Sequence, residues 1–591
     1  MPKNVFTLVV MLLVAAAQGC GGGGSEEPSP RLDGPAAPTP PSPGSPGGAL
    51  PPLTTDDATI VRFLNRSTFG ATQADVSAIA STSTTDWFIQ ELLEPASYLM
   101  PSVQNVVDSV PEPNDYLFAA TTAAFWRNAI AGPDQLRQRM AFALSQIFVV
   151  SNGVGDELSE HPEAVSTFQD ILIRGAFGNY RDLMEAVTYS PAMAYYLTYL
   201  GNLPGDAATG RKPDENYARE LLQLFSIGVV ELNPDGSERL DGSGRPIESY
   251  GNADIEGLAR VFTGLNLNEA ELERSVGAAY SVPLWIFGED HSQREKRFLG
   301  AVIPPGTEAR ASIDQALDVV FAHPNVGPFV GRQLIQRLVT SNPSGDYVTR
   351  VAAAFDRGQF TLPNGELVGV ARRGDLTATL AAVLFDLEAS TLDPLRGGKL
   401  REPVLRFTQW ARAFDAAGLD ARYVLKLWDT SSATALGQHP YRSPSVFNFF
   451  RPGYRAPGSL SGAAGLVAPE LQITNATTVP GYINFMTYFV FGQQASIDVD
   501  ALRETYQEFG IPLAAEDVVD QFRSSYAREQ ALAADPDALV AHLDVLLTGG
   551  VMTADSRRAI SELVAATEGA LLRSQLAVLL VMTSPDYLVQ R

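Results

Sequence analysis

The chain has 591 residues, a formal net charge of −24, 45% hydrophobic and 19% charged residues. That balance suits a globular protein with a large core, and the excess negative charge excludes the positive footprint that a nucleic-acid partner requires. With one cysteine, Cys20, and five histidines, an intramolecular disulfide and thiolate metal clusters are excluded, a multi-histidine site is not favoured, and no metal ligands are assigned.

The N-terminal stretch "MPKNVFTLVVMLLVAAAQGC" carries Lys3 and then an apolar run from Val5 to Ala17. The run is too short to span a bilayer and fits the hydrophobic region of a secretory signal. Cleavage has two readings: after Ala15-Ala16-Ala17, or before Cys20 in "AQGC", which resembles the lipobox of bacterial lipoproteins. The position of the only cysteine favours the second, with residues 1–19 as signal peptide and lipid on Cys20. The expected location is the cell envelope, lipid-anchored, with Gly21 after the cysteine pointing to the outer membrane. From Pro28 to Pro52 prolines alternate with Gly and Ser, so residues 20–53 read as a disordered, partly stiff tether. The folded part is expected over residues 54–591.

Helical periodicity dominates that part. "TTDDATIVRFLNR" opens on capping residues, "TTDWFIQELLEP" stops at Pro95, and "GPDQLRQRMAFALSQIFVVS" puts Pro133 at a first helical position. "DENYARELLQLFSIG", from Asp214 to Gly228, sweeps Tyr217, Ala218, Leu221, Leu222, Leu224 and Phe225 over one face, with Asn216, Arg219, Glu220 and Gln223 opposite. Gly228 sits where a left-handed helix cap belongs. "GVVELNPDGSERLDGSGRPIESYG" alternates weakly around Pro-Asp-Gly and Asp-Gly and predicts a small hairpin, while "KRFLGAVIP" predicts another short strand. "NVGPFVGRQLIQRLVTSNP", "DLTATLAAVLFDLEAS", "SRRAISELVAATEG" and "ALLRSQLAVLLVMTSPDYL" read as further helices. No repeat of fixed period is evident. The fold class is mainly α: one large multi-helix domain with a small β-hairpin element.

The polar stripe of the Asp214–Gly228 segment has two explanations. Glu215 and Arg219 form an i,i+4 pair on a wet face, or the stripe faces a cleft, with Glu220 as general base or ligand and Asn216 and Arg219 orienting an anion or carbonyl. "GEDHSQREKRFLG" sets Asp290, His291 and Lys296 in a polar turn, where the carboxylate would orient the imidazole; an exposed loop is the alternative. His161, His323 and His439 each precede proline and read as structural turn residues. "PYRSPSVFNFFRPGYRAPG" reads as an ordered loop packed on the core, or as a sugar- or partner-binding strip. Familiar catalytic signatures are missing from the sequence, and no cofactor is assigned.

Several stretches in order, "RFLNRSTFGAT", "ENYARELLQLFSIG", "DIEGLARVFTGL", "HPNVGPFVGRQLIQRLVTSNPSGDYVTRVAAAF", "SVFNFFRPGYRAPG" and "LVAPELQI", together resemble the bacterial family called domain of unknown function 1800 (DUF 1800). The resemblance implies a secreted or envelope protein, largely helical, without an established activity. It also implies a partner, because genes of this family often lie beside one for the DUF 1501 family, whose members look sulfatase- or phosphatase-like. The Asn-x-x-Arg-Glu pattern, here Asn216, Arg219 and Glu220, is the hallmark it carries. Two functions are therefore expected: a lipid-anchored binding or accessory protein working with another envelope protein, or a hydrolase of an envelope or extracellular polymer with Glu220 and His291 as catalytic candidates. Binding candidates are Asn216, Arg219, Glu220, Asp290 and Lys296.

Overall fold

The computed structural model describes residues 53–109, 117–153, 157–393, 397–416, 425–492 and 523–591, with residues 504, 507 and 508. The expectations for the signal peptide, Cys20 and all of the tether but Leu53 fall outside the described residues.

The fold is mainly α, with small two-stranded antiparallel sheets. Local chemistry sets the helix ends. Thr54 and Asp57 form a capping box before the helix Ala58–Ser67. The Ser83 side chain accepts from Asp86 N at 3.0 Å and starts Thr84–Leu93, which closes just ahead of Pro95. Gly358, at φ 65°, ends Gly345–Arg357 in the left-handed conformation. Pro133 is not helical: Gln135–Ser145 begins two residues later, with Asp134 as its N-cap. No helix among the described residues is long and apolar enough to cross a membrane.

Two apolar cores form within the unit Leu50–Arg591. The first collects the middle of the chain, among it Leu144, Phe168, Tyr217, Leu221, Leu334 and Phe355. The second joins the start of the described chain to its last third, through Val61, Trp126, Phe407, Trp410, Phe489 and Val578. Full burial of rings such as Phe407 and Phe489 contributes about 1.5–3 kcal/mol each. The helix Phe118–Ala131 serves both cores, giving Ala120 and Ala124 to one and Phe125 and Trp126 to the other. The C-terminus closes the second core, because Val589–Gln590 pairs with Lys399–Leu400 just before the helix Pro403–Ala413.

The two strand expectations resolve differently. Lys296–Phe298 and Ala301–Ile303 make a hairpin with Leu299 and Gly300 both at positive φ, as a two-residue turn demands. The segment after Gly228 is not a simple hairpin. The Glu231 N–H donates to Ile247 O, Arg239 N–H to Glu231 O, and Ile247 N–H to Arg239 O, at 2.8, 2.8 and 3.0 Å. Three short extended pieces thus close on one another. Residues 231, 239 and 247 set a local eight-residue repeat that composition concealed.

His439 shows what the proline-flanked histidines do. Its Nδ1 accepts from Thr430 N at 3.0 Å, and its Nε2 lies 3.0 Å from Thr122 Oγ1. Both nitrogens are occupied only in the neutral ring. Burial lowers its pKa to about 3; the Asp429 carboxylate opposes the shift and Arg442 adds to it. The folded pKa lies below the unfolded one, so the ring's contribution is complete above the ordinary value near 6.5 and is lost as pH falls below it. We expect the stability difference between wild type and His439→Gln to narrow by about 1.4 kcal/mol per pH unit between pH 6 and 4, read by urea unfolding at each pH. A pH-independent difference would refute the neutral-ring assignment.

Candidate functional site

The helix carrying the Asn-x-x-Arg-Glu pattern spans Asn216–Gln223, five residues short of Gly228. The chain leaves it through wide turns, with Gly228 N–H reaching Leu222 O at 2.9 Å. Asp214 Oδ1 accepts from Asn216 N at 2.8 Å and fixes the helix start. Tyr217, Leu221 and Leu222 are buried, and the Tyr217 hydroxyl bonds Thr188 Oγ1 at 2.7 Å.

The opposite stripe divides. Arg219, part-exposed, pairs with Glu215 at 3.3 Å, and the Asn216 amide points to Thr198 Oγ1 at 3.4 Å. Glu220 is buried at 7% exposure, and its Oε2 has no hydrogen-bond partner. Burial raises its carboxyl pKa, with Arg219 opposing. Burial also pushes the phenols of Tyr196 and Tyr250 up to about 12, and the Glu220 charge adds to it.

His291, Asp290 and Lys296 do not join Glu220. The His291 ring is in the interior, with Nδ1 2.9 Å from Thr263 O and Nε2 3.2 Å from Ser312 Oγ. Its pKa is lowered by burial, with the hydrogen bond to Thr263 opposing. Both nitrogens hold the segment to its neighbours, so the exposed-loop alternative fails at this residue. Asp290 closes a short 3₁₀ turn and lies outside hydrogen-bonding contact with the ring. Lys296 is fully buried and its Nζ has no partner. Among the described residues no group of three or more His, Cys, Asp or Glu side chains is placed to hold a metal ion.

The largest convergence of the stretches quoted above is elsewhere. A cleft of about 760 Å³ is lined by Gln223 and Leu224, by Phe329, Arg332, Gln333 and Arg337 of the helix Val326–Leu338, by the Phe447–Arg455 strip, and by Val467. Its floor is polar and nearly closed to solvent. Gln146, Gln333 and Arg337 are 6–8% exposed, yet Gln146 Oε1, Gln333 Nε2 and Arg337 Nε lack partners. A buried polar atom without a partner costs about 1–3 kcal/mol, a cost that ligand oxygens in the cleft would relieve at the Gln333 and Arg337 donors. The walls carry Arg332, Arg451 and Arg455, with the Arg451 guanidinium 4.9 Å from the centre of the Phe447 ring. The guanidinium thus makes a cation–π contact with the ring. Glu238 also lines the cleft and its charge is felt at Arg332, but the guanidinium groups of Arg332, Arg451 and Arg455 outnumber it, so the cleft suits oxygen-rich, acidic groups.

A buried network fixes the floor. Arg337 donates Nη1 to Gln333 O and Nη2 to Gln146 O, at 3.1 and 2.8 Å. Beneath it, Arg139 Nη2 and Lys399 Nζ both donate to Arg337 O, at 2.7 and 2.8 Å. Lys399 meets Glu470 at 3.2 Å and Glu402 at 3.9 Å. Glu402 Oε2 accepts from Gln146 Nε2 and Gln438 Nε2, each at 2.7 Å. Burial raises the Glu470 pKa, against the pull of Lys399.

Along the chain the strip and the 326–338 helix stand far apart, and nothing local joins them. The one available signal was the unusual density of arginine and aromatic residues in "FNFFRPGYR". The arginines of the 326–338 helix fit an ordinary amphipathic helix and gave no separate signal.

A family model described as Protein of unknown function (DUF1800) matches residues 62–589. No curated protein and no solved structure matches the chain.

Proposed function

Since the chain belongs to the DUF1800 family over nearly its whole length, a family whose description names no activity, we propose that it is a lipid-anchored cell-envelope binding protein that holds an acidic polymer segment in the arginine-lined cleft. The observation that carries this reading is the floor of unpartnered Gln333 Nε2 and Arg337 Nε donors beneath Arg332, Arg451 and Arg455. In a chain of net charge −24, concentrating guanidinium groups at one concavity costs self-repulsion and is offset when carboxylate or sulfate oxygens occupy it. The lipid on Cys20 would hold the cleft at the membrane surface. The working partner is a sulfatase- or phosphatase-like envelope protein of the DUF 1501 family, as the gene neighbourhood of the family supports.

The test uses the full-length protein in detergent with dextran sulfate and polygalacturonate as probes and neutral dextran as control. Wild type should bind the charged polymers in a salt-sensitive manner. Arg451→Ala and Arg455→Ala should each weaken binding by about tenfold, the loss of one charge-assisted contact. Equal binding to neutral dextran, or variants that bind like wild type, would refute the cleft assignment. Cys20→Ser should move the protein from the membrane to the soluble fraction; unchanged fractionation with no acyl mass on the N-terminal peptide would refute the anchor.

A second reading rests on Glu220. A buried carboxyl with raised pKa and an unpartnered oxygen, one helical turn from the cleft residue Gln223, has the properties of a general acid. Under this reading the protein cleaves the polymer it binds, and Glu220→Gln retains binding while abolishing release of reducing ends.

A further inference from the structure

A second, smaller pocket of about 150 Å³ lies between the start of the 216–223 helix, the end of the helix Asn252–Ala259 and the loop after His291. Its cations are Arg211, Lys212, Arg260 and Arg294, and its carboxylates are Glu215 and Glu256. Both carboxylates are engaged, Glu256 by Lys212 and Glu215 by Arg219, each at 3.3 Å. Arg211 Nε donates to Pro204 O at 2.9 Å. Among the described residues Arg260 and Arg294 are paired with no carboxylate.

Lys296 lies within electrostatic reach of Arg260. Its residue is 0% exposed and its Nζ has no partner. The ammonium group feels the Arg260 guanidinium as a like charge, which adds to the larger effect of burial in lowering its pKa. Burying a cation without a counter-charge, next to a second cation, is among the costliest arrangements in a protein interior. Ser292 adds a hydroxyl to the pocket wall. Two cations without carboxylate partners, Arg260 and Arg294, line a cavity sized for a small anion, and the buried Lys296 ammonium feels the charge of one of them.

We propose that Arg260, Arg294 and Ser292, supported by the charge of the nearby Lys296 ammonium, form a binding site for a tetrahedral oxyanion, an inorganic phosphate or sulfate or the corresponding ester. The site is separate from the arginine-lined cleft and does not rest on the function proposed for it. The anion neutralises Lys296 and Arg260 together, and the guanidinium groups supply the directional donors that oxyanions select.

The experiment is thermal unfolding of the full-length protein in detergent, with sodium phosphate or sodium sulfate titrated at constant ionic strength against sodium chloride. Wild type should gain melting temperature with phosphate or sulfate and not with chloride. The two sources separate by testing phenyl phosphate and phenyl sulfate beside the inorganic ions: a site for esters is stabilised by them too, a site for free ions is not. Lys296→Met replaces the ammonium by an apolar chain of similar length. It should raise the melting temperature in chloride and reduce the anion-dependent gain. Arg294→Gln, at an exposed position, should leave the chloride melting temperature unchanged and shift the half-saturating anion concentration upward by about tenfold. A wild type that responds to chloride as to phosphate and sulfate, or a Lys296→Met or Arg294→Gln protein with the wild-type anion response, overturns the proposal.

Discussion

Glu402→Ala should lower folding stability by about 3–5 kcal/mol, the cost of removing one member of a buried charge network. Glu402 is fully buried at the N-cap of the helix Pro403–Ala413. Its removal leaves two buried amides, of Gln146 and Gln438, without their acceptor. It also leaves Lys399, Arg139 and Arg337 facing Glu470 as the only carboxylate of the network named above. Because Gln146 contributes both to Glu402 and to the cleft floor, the loss reaches the binding site. Guanidinium chloride unfolding measures the stability, and polymer binding of the surviving folded protein measures the site. Glu402→Gln keeps the volume and one acceptor, and should cost less than Glu402→Ala. A change below about 1 kcal/mol for Glu402→Ala would show that the network contributes little to stability.

Gly257→Ala should destabilise by about 3 kcal/mol, although helix propensity alone predicts a gain of about 1 kcal/mol for alanine within a helix. A Cβ at residue 257 would lie 1.7 Å from Arg297 O and 2.7 Å from Arg297 C. Both are backbone atoms of the Lys296–Phe298 strand, so no side-chain rotation relieves the overlap. The helix Asn252–Ala259 must move off the hairpin, and Lys296 would lose its burial. Gly242→Ala is the control, since a Cβ there meets nothing within 4 Å. Urea midpoints decide: a Gly257→Ala protein as stable as the control would show that the helix and hairpin separate at little cost.

Much of the helical framework was legible in the sequence because helix formation is local. Capping residues, proline stops and a 3.6-residue apolar period act within a few residues of one another, as Thr54, Asp57 and Pro95 illustrate. The small strands were less legible. The repeat at residues 231, 239 and 247 has weak alternation and many turn residues, and its order comes from three pieces bonding to each other.

The candidate site was legible in parts only. Glu220 stood out by its place opposite an apolar face, but its burial was not legible; in the fold its charge is felt at the phenols of Tyr196 and Tyr250, which lie on either side of it in sequence. His291 has the residue types of a catalytic pair beside Asp290, yet its ring bonds Thr263 and Ser312. Sequence adjacency does not set the direction in which a side chain points. The cleft and its network needed tertiary structure altogether, because Gln146, Arg337, Lys399 with Glu402, and Glu470 come from four separate segments of the chain. What the sequence by itself determined is the helical class and the family, since periodicity and ordered motifs survive without three-dimensional information. What only the tertiary structure decided is which polar side chains lose water. Burial sets the cost of each unpaired charge, and that cost singles out Arg337, Glu220 and Lys296 from residues that look alike along the chain.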